Sequence, residues 1–316
     1  MTINIELYRK LYLIREAEKA IRNNYHKNDM KTPMHMSMGE EAIVAGVCQA
    51  LKHEDQVMGT YRSHGLYLAK TMETDEFFAE MYCKISGCAR GKAGSMHLCS
   101  PLHGMMGSCA IVSGFIPVAM GLAFANKYLK NNKMTAVFFG DGAIDEGAFW
   151  ETLNASCLYK LPILFVCEDN GLAVHTEHEM RHGYKSINEI VKQFECNVFE
   201  TDSTDAEDIY NLTQQALAQN QKDGRPCFMH FHYYRYLEHV GINEDFDANY
   251  RSRDKFDIWR QKDPVCILRQ RLVDAHIDID KLEAEINIMI ERSIALAEQA
   301  PNSDKKELYE GVFSCE

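Results

Sequence analysis

Between residues 135 and 231 short apolar runs alternate with helical stretches, and this restricts the fold more than any other feature of the chain. Thr135-Ala-Val-Phe-Phe139 is β-branched and aromatic, too short for a helix and too apolar for an exposed strand. Residues 146–157 have helical spacing, and 162–167 form a second apolar run. Ser186 and Glu189 box the next helix, 198–200 is a short strand, Thr204 and Glu207 box another helix, and 226–231 is the last strand. Strands without a polar face must be covered on both sides, and each returning helix brings the next strand back parallel. The expected class is α/β: a doubly wound parallel sheet with right-handed crossovers.

The flanks supply further helices. Residues 5–24 place Leu7, Leu11, Ile14, Glu18 and Ile21 at helical spacing, apolar except for Glu18. A second helix is expected from Ser37, with Ser37 and Glu40 as a capping box, through Ala42, Val44, Val47 and Leu51. Residues 57–60 read as a short strand, and Thr74 as the cap of a helix through Phe77, Phe78, Met81 and Ile85. From about 85 to 113, Gly87, Gly91, Gly94, Gly104 and Gly107 punctuate a stretch with no clear period. A loop that long, mixing glycine with apolar residues, is expected to be functional. A helix with Pro117 in its first turn runs on to about Lys130. Beyond 252 the chain is mostly helical, with Ile279, Leu282, Ile286, Ile290 and Ile294 as an apolar stripe. The 316 residues suit one large domain. Its expected parts are N-terminal helices (1–55), a core sheet (56–235), and a loop with a helical tail (236–316).

Charge and cysteine content narrow the function. With 34 Lys and Arg against 46 Asp and Glu the net charge is −12, which argues against a nucleic-acid partner. No apolar stretch approaches the roughly 20 residues that span a bilayer, and the first ten residues mix acid and base, unlike a secretory signal. The 11 cysteines are odd in number and scattered, several in apolar runs, as reduced thiols of a cytoplasmic protein would be. Cys83 and Cys88 are too far apart for a Cys-x-x-Cys pair, so a zinc site receives little weight.

The chemistry concentrates in Phe139-Gly-Asp-Gly-Ala-Ile-Asp-Glu-Gly-Ala. Gly140, Asp141 and Gly142 fall where a strand ends and a helix is about to start. In a doubly wound sheet that is where ligands bind. Flanking glycines let the backbone approach a phosphate, while the carboxylate can turn to a hard cation. Asn170 follows the next strand, in Cys167-Glu-Asp-Asn-Gly-Leu, so one strand–helix–strand unit brings Asp141 and Asn170 to the same sheet edge. A carboxylate, an amide oxygen and a backbone carbonyl make a half-shell for Mg²⁺, leaving positions for phosphate oxygens and water. Alone, Gly-Asp-Gly would be a turn with a capping aspartate; with Asn170 it reads as a cation and diphosphate site.

Gly140-Asp141-Gly142 followed by Asn170 resembles the thiamine-diphosphate fingerprint, and its surroundings resemble one family: the alpha subunit of the heteromeric two-oxo-acid dehydrogenase first component, of pyruvate, acetoin and branched-chain types. Gly59-Thr-Tyr-Arg-Ser-His-Gly65, Cys88-Ala-Arg-Gly-Lys-Ala-Gly-Ser-Met-His97, Lys160-Leu-Pro-Ile-Leu-Phe-Val-Cys-Glu168 and Tyr233-Tyr-Arg-Tyr236 ahead of His239 carry the likeness, from about residue 7 to 298. The resemblance implies a thiamine-diphosphate-binding fold with extra N- and C-terminal helices. It implies thiamine diphosphate and Mg²⁺ as cofactors, with Asp141, Asn170 and the Leu172 carbonyl as metal ligands. Tyr61 and Arg62 match diphosphate contacts, as do the backbone amides of Gly142 and Ala143 beside Gly140. Ala110 and Val112 match the aminopyrimidine cradle. His35 and His239 match the histidines of the reaction centre, where neutral imidazoles could switch between donor and acceptor around pH 7. His64 and His97 fit motifs of the family as loop-ordering residues. A glutamate that activates the pyrimidine belongs to a second doubly wound unit, for which this chain has no room. The resemblance therefore implies a beta subunit carrying the pyrimidine-binding domain, in a complex of two alpha and two beta chains.

Some positions depart from the family. The loop after Tyr236 reads Leu237-Glu-His-Val240, so Val240 offers no hydroxyl for phosphorylation, and Glu238 is expected to add negative charge near the mouth. Tyr250-Arg-Ser-Arg253 resembles the rest of a loop that orders over cofactor; otherwise it is an exposed basic turn. The expected reaction begins on a 2-oxo acid or hydroxyketone, the cofactor supplying the electron sink, and ends with acyl transfer to lipoamide on an acyltransferase core. The alternative is a carboligase adding a two-carbon unit to a carbonyl acceptor such as a sugar. A nicotinamide-dependent oxidoreductase fits less well, since no Gly-x-Gly-x-x-Gly opens the first strand–helix unit. A cofactor-free scaffold would be indifferent to Asp141 and Asn170.

Overall fold

Adjacent side chains of a strand point to opposite faces, so a strand covered on both sides can be apolar throughout. The computed structural model describes residues 2–310; Met1 and residues 311–316 of the expected tail lie outside the described residues. Its strands are β1 (Gln56–Thr60), β2 (Met105–Cys109), β3 (Thr135–Gly140), β4 (Ile163–Asp169), a hairpin of β5 (Leu172–Ala173) and β6 (Thr176–Glu177), then β7 (Asn197–Thr201) and β8 (Cys227–His232). Six of them form one parallel sheet in the order β2-β1-β3-β4-β8-β7. Ala136, Phe138, Leu164, Val166 and Met229 pack into the core on one face. Val137, Phe139, Phe165, Cys167 and Phe228 pack into the core on the other.

The helices are α1 (Thr2–Tyr25), α2 (Glu41–Ala50), α3 (His64–Thr71), α4 (Thr74–Met81), α5 (Phe115–Leu129), α6 (Gly147–Leu158), α7 (Ile187–Val191), α8 (Ala206–Asp223), α9 (Arg253–Arg260), α10 (Pro264–Asp274) and α11 (Asp280–Gln299). Leu11 of α1, Val44 of α2, Ile209 of α8, Leu268 of α10 and Ile286 of α11 join the first core. Ala119 of α5, Leu153 of α6 and Val191 of α7 join the second. This is the doubly wound arrangement. Among the described residues no helix is long and apolar enough to cross a membrane. The ten described cysteines are free.

β2 pairs on one side of β1, while β3 pairs on the other side and leads on to β4. The order therefore reverses between β1 and β3, and a crevice opens beyond their carboxyl ends. Several local expectations fail there for physical reasons. Ser37 does not cap α2: its N–H donates to Glu18 Oε2 at 2.6 Å and its hydroxyl accepts from Gly65 N at 3.0 Å. β2 lies inside the stretch read as loop, its glycine and serine hiding an edge strand. α3 starts behind Ser63, whose hydroxyl donates to Thr60 O at 2.6 Å instead of capping the helix. Thr74 opens α4 without capping it, bonding Ser293 at 2.8 Å instead, and the helix stops at Met81, short of Ile85. Asp205 rather than Thr204 caps α8, accepting from Glu207 N at 3.0 Å. Ser186 does cap α7.

Glu18, the acid in the apolar stripe of α1, is fully buried. Its Oε1 lies 2.6 Å from His64 Nδ1, and His64 Nε2 lies 2.7 Å from Ser95 Oγ. All three are buried beneath the loop, so this carboxylate–imidazole–hydroxyl chain fastens elements together and meets no substrate. Glu80 of α4 does similar work for the glycine-rich loop. Its Oε2 accepts from Ala89 and Gly91 N at 2.9 Å, and its Oε1 from Ala93 N at 2.8 Å and Gly94 N at 2.9 Å. Four amides converging on one buried carboxylate explain how so long a loop keeps one shape. Glu80→Ala is expected to destabilise the chain by about 3 kcal/mol or more, and to remove amide hydrogen-exchange protection at residues 89–94. Retained protection there would show that the carboxylate does not hold the loop.

Candidate cofactor and active site

At the crevice between β1 and β3 lies a cavity of about 310 Å³. Thr60, Tyr61 and Arg62 reach it from the end of β1, and Gly140, Asp141, Gly142 and Ala143 from the turn after β3. Glu168, Asn170 and Leu172 come from the end of β4 and the turn beyond it; Glu40, Val112, Tyr233 and His239 complete much of the wall. Most residues singled out by sequence therefore meet in one place. Ala110 does not line the cavity, and His35 sits behind Tyr61, their ring centroids 4.4 Å apart.

The carboxylate of Asp141 is buried and divided in its partners. Oδ2 accepts from His178 Nε2 at 3.0 Å and from the Arg181 guanidinium, whereas Oδ1 has no partner among the described residues. Asn170 is held by its amide, which donates to Tyr233 Oη at 3.0 Å, while its Oδ1 accepts from Leu172 N at 3.1 Å. Gly171, at φ +79°, makes the turn that sets Asn170 and Leu172 side by side. Gly142 passes so close to β5 that a Cβ there would lie 3.0 Å from Ala173 Cβ. An orphaned carboxylate oxygen, an amide oxygen and a main-chain carbonyl form a hard-oxygen donor set, and these residues fit Mg²⁺. His178 bridges Asp141 and Asp169, at 3.0 and 3.1 Å, and hydrogen bonds to the two carboxylates push its imidazole up to about 10. Neither His178 nor Arg181 stood out in the sequence, because their partners lie on other strands.

Arg62 is buried, and much of its guanidinium is committed to the protein. Nη1 donates to Met36 O at 2.7 Å and Nη2 to His239 O at 3.1 Å. The charge still borders the cavity, beside two buried carboxyls that sequence reasoning missed. Both oxygens of Glu40 and Oε1 of Glu168 lack hydrogen-bond partners among the described residues. Burial pushes Glu40 up to about 8; burial and the nearby Glu40 raise Glu168, with Arg62 opposing both shifts. Glu40 matches a capping box by spacing with Ser37, and Glu168 ends the Lys160–Glu168 stretch with nothing local to mark it as a cavity residue.

Burial, then the Arg62 charge, lower both His35 and His239 to about 3. They are thus neutral at pH 7 and do not switch there, contrary to the sequence expectation. His239 Nδ1 lies 3.5 Å from Arg62 Nη2 and 3.4 Å from Arg235 Nη1. Guanidinium groups only donate, so Nδ1 is the accepting nitrogen and Nε2 carries the proton. Glu238 is spent on its own loop: Oε1 accepts from Asn243 N at 2.9 Å, and the residue is absent from the cavity wall. Its expected charge at the mouth is therefore not found. Of the segment 250–253, Ser252 and Arg253 are exposed, but Tyr250 and Arg251 are not. The Arg251 side chain packs against the Tyr234 and Phe246 rings, 5.3 and 5.2 Å from their centroids, and pairs with Asp245. His64 and Ser95 are structural, as described above, and His97 Nδ1 lies 3.3 Å from Ser108 O.

The sequence profile of the family described as "Dehydrogenase E1 component" matches residues 9–307. The pyruvate dehydrogenase E1 component subunit alpha of Porphyra purpurea is 31% identical, over 98% of this chain and 92% of its own length. The corresponding subunit of Rickettsia felis is 28% identical over 98% and 95%. The chloroplastic alpha-3 subunit of Arabidopsis thaliana is 29% identical over 98% and 74%. All three are named as dehydrogenase subunits, which does not favour the carboligase or nicotinamide-dependent readings. The chain belongs to the dehydrogenase E1 component family, whose members are thiamine-diphosphate-dependent 2-oxo-acid dehydrogenases, and it aligns along nearly its whole length with their alpha subunits.

Proposed function

We propose that the chain is the alpha subunit of a cytoplasmic 2-oxo-acid dehydrogenase that holds thiamine diphosphate and Mg²⁺ in the switch-point cavity. Pyruvate, named in the relatives, is the first substrate to test, and lipoamide on an acyltransferase core the proposed acceptor. The observation that carries this reading is the buried, partnerless Asp141 Oδ1 in a cavity shared with Asn170 and Leu172. In this reading those three residues hold the metal, and Gly142 and Ala143 amides with Tyr61 and Arg62 border the diphosphate. Val112, on the cavity wall, flanks the aminopyrimidine. Bound thiamine diphosphate supplies the carbon nucleophile and electron sink for cleaving the bond next to the substrate carbonyl. His35 and His239 stay neutral beside that centre; His239 can offer its Nε2–H to a substrate oxygen without adding a charge.

A second polypeptide is part of the proposal, as two alpha and two beta chains. The surface supports it. α5 exposes Val118, Phe124, Tyr128 and Leu129; Ile111 and Val112 are exposed just before it, Val112 on the cavity wall, and Leu158 and Tyr159 lie exposed at the end of α6. A helix apolar on both its inner and outer faces is built to be covered.

Asp141→Ala and Asn170→Ala are each expected to weaken Mg²⁺-dependent binding of thiamine diphosphate to the two-chain complex by at least about 100-fold, with circular dichroism unchanged. Unaltered affinity in either variant, measured by calorimetry, would remove the proposed site. The purified chain alone should not decarboxylate pyruvate, and adding the beta chain should restore turnover; robust activity of the isolated chain would exclude a divided active site.

The histidines give a pH prediction with a definite sign. Both bind a proton less readily in the folded chain than unfolded, so the unfolded chain takes up protons first as pH falls below 6.5. Stability is therefore full above 6.5 and declines toward pH 3. The double variant His35→Gln, His239→Gln should flatten that decline by up to about 1.4 kcal/mol per pH unit for each imidazole. Denaturant unfolding across this range tests it; an unchanged slope would mean that the imidazoles are charged in the folded chain.

A further inference from the structure

On the far side of the β4 end from the cofactor cavity, three parallel strands bring a second group of ligands together. Asp169 closes β4 and stands in register with His232, the last residue of β8. His230 is two residues earlier on β8, hence on the same face, and in register with Glu200 of β7. A second cavity of about 610 Å³, which meets the cofactor cavity at Asp141, reaches Asp169, His230 and His232 and provides a route in.

We propose that Asp169, His230 and His232 form a second divalent-metal site, of the zinc class and distinct from the Mg²⁺ site at Asp141. Asp169 Oδ2 lies 2.8 Å from His230 Nε2 and 3.6 Å from His232 Nδ1, and the three ligand atoms lie within 4.8 Å of one another. Ligand atoms on a tetrahedral zinc, each about 2.0–2.1 Å from the ion, are about 3.3 Å apart, between those two distances. Asp169 and His230 are buried and His232 is half-buried.

The outer contacts point the same way. His230 Nδ1 lies 3.2 Å from Asn188 Oδ1, and His232 Nε2 lies 3.1 Å from Glu200 Oε1. Both partners accept, so those ring nitrogens carry the protons. The lone pairs of His230 Nε2 and His232 Nδ1 are then left facing Asp169 Oδ2. A cation among them would satisfy all three; without one, a proton shared by His230 Nε2 and Asp169 Oδ2, 2.8 Å apart, takes its place. Histidines whose second nitrogen is fixed by a carboxylate or amide oxygen are the usual outer shell of zinc ligands. Two imidazoles and one carboxylate favour zinc over Mg²⁺, which prefers an all-oxygen octahedron. Water can fill the fourth position.

The proposal does not depend on the cofactor reading, and its test keeps the two apart. The full-length chain is stripped with chelator, incubated with Zn²⁺ in millimolar Mg²⁺, desalted and assayed for metal by mass spectrometry. One retained zinc per chain is expected, with the visible bands of a tetrahedral ion when Co²⁺ replaces it. His230→Asn can disturb the core, so half-buried His232→Asn and the outer-contact variant Glu200→Gln are measured as well. His232→Asn should abolish retention, and Glu200→Gln should weaken zinc binding about 10–100-fold. Asp141→Asn should leave zinc in place. No retained zinc, zinc unaffected by both His232→Asn and Glu200→Gln, or zinc lost in Asp141→Asn would each overturn the proposal.

Discussion

A guanidinium buried at the reversal of strand order governs what surrounds it. Arg62 follows β1, yet it is bonded to the carbonyls of Met36 and His239. It therefore ties the segment before α2 to the loop after β8 across the mouth of the sheet. The planar guanidinium sets the two carbonyls in fixed directions from separate nitrogens, which the single, rotatable ammonium of a lysine would not. The same charge reaches the chemistry. It helps keep His35 and His239 neutral, and it opposes the upward shift of Glu40 and Glu168. A cation that positions the walls thus also sets the protonation of the groups lining them.

The two oxygens of Asp141 divide between structure and chemistry. Oδ2 is held by His178 and Arg181, which fixes the turn after β3 against the β5–β6 hairpin region. Oδ1 is left buried and free of partners. A carboxylate with both oxygens free would rotate; one with both committed could not take a metal. Asn170 is treated alike, its amide nitrogen anchored on Tyr233. Preorganisation here comes from fixing each side chain through protein contacts while an oxygen keeps a lone pair for the ligand: Asp141 Oδ1 is free, and Asn170 Oδ1 accepts only from Leu172 N.

The sheet and most cavity residues were legible in sequence because both signals are local. An apolar run bounded by helical spacing announces a buried strand, and Gly140-Asp141-Gly142 with Asn170 announces a strand-end site. What stayed hidden depends on contacts far apart in the chain. Glu18 read as an exception in an apolar stripe until His64 and Ser37 met it. Glu40 and Ser37 matched a capping box by spacing, yet one faces the cavity and the other bonds Glu18 and Gly65. β2 carries too little apolar character to be seen, since an edge strand with one neighbour is less deeply covered. Spacing arguments identify elements well and side-chain partners poorly.

At the end of β4 that limit becomes informative. Successive residues of a strand face opposite ways, so Asn170 opens on the cofactor cavity while Asp169 opens on the histidines of β8. The donors on each side differ in kind: oxygen alone around Asn170, imidazole nitrogen around Asp169. Hard oxygen sets suit Mg²⁺, whereas mixed nitrogen and oxygen sets suit zinc. Two cations could therefore sit back to back across one turn without competing for ligands. Each would stiffen the same Asp169–Asn170 backbone, whose Gly171 amide already donates to Asp169 Oδ1 at 2.7 Å. Order imposed on the histidine side would then be felt as a better-placed Asn170 on the cofactor side, because the two residues share one peptide plane.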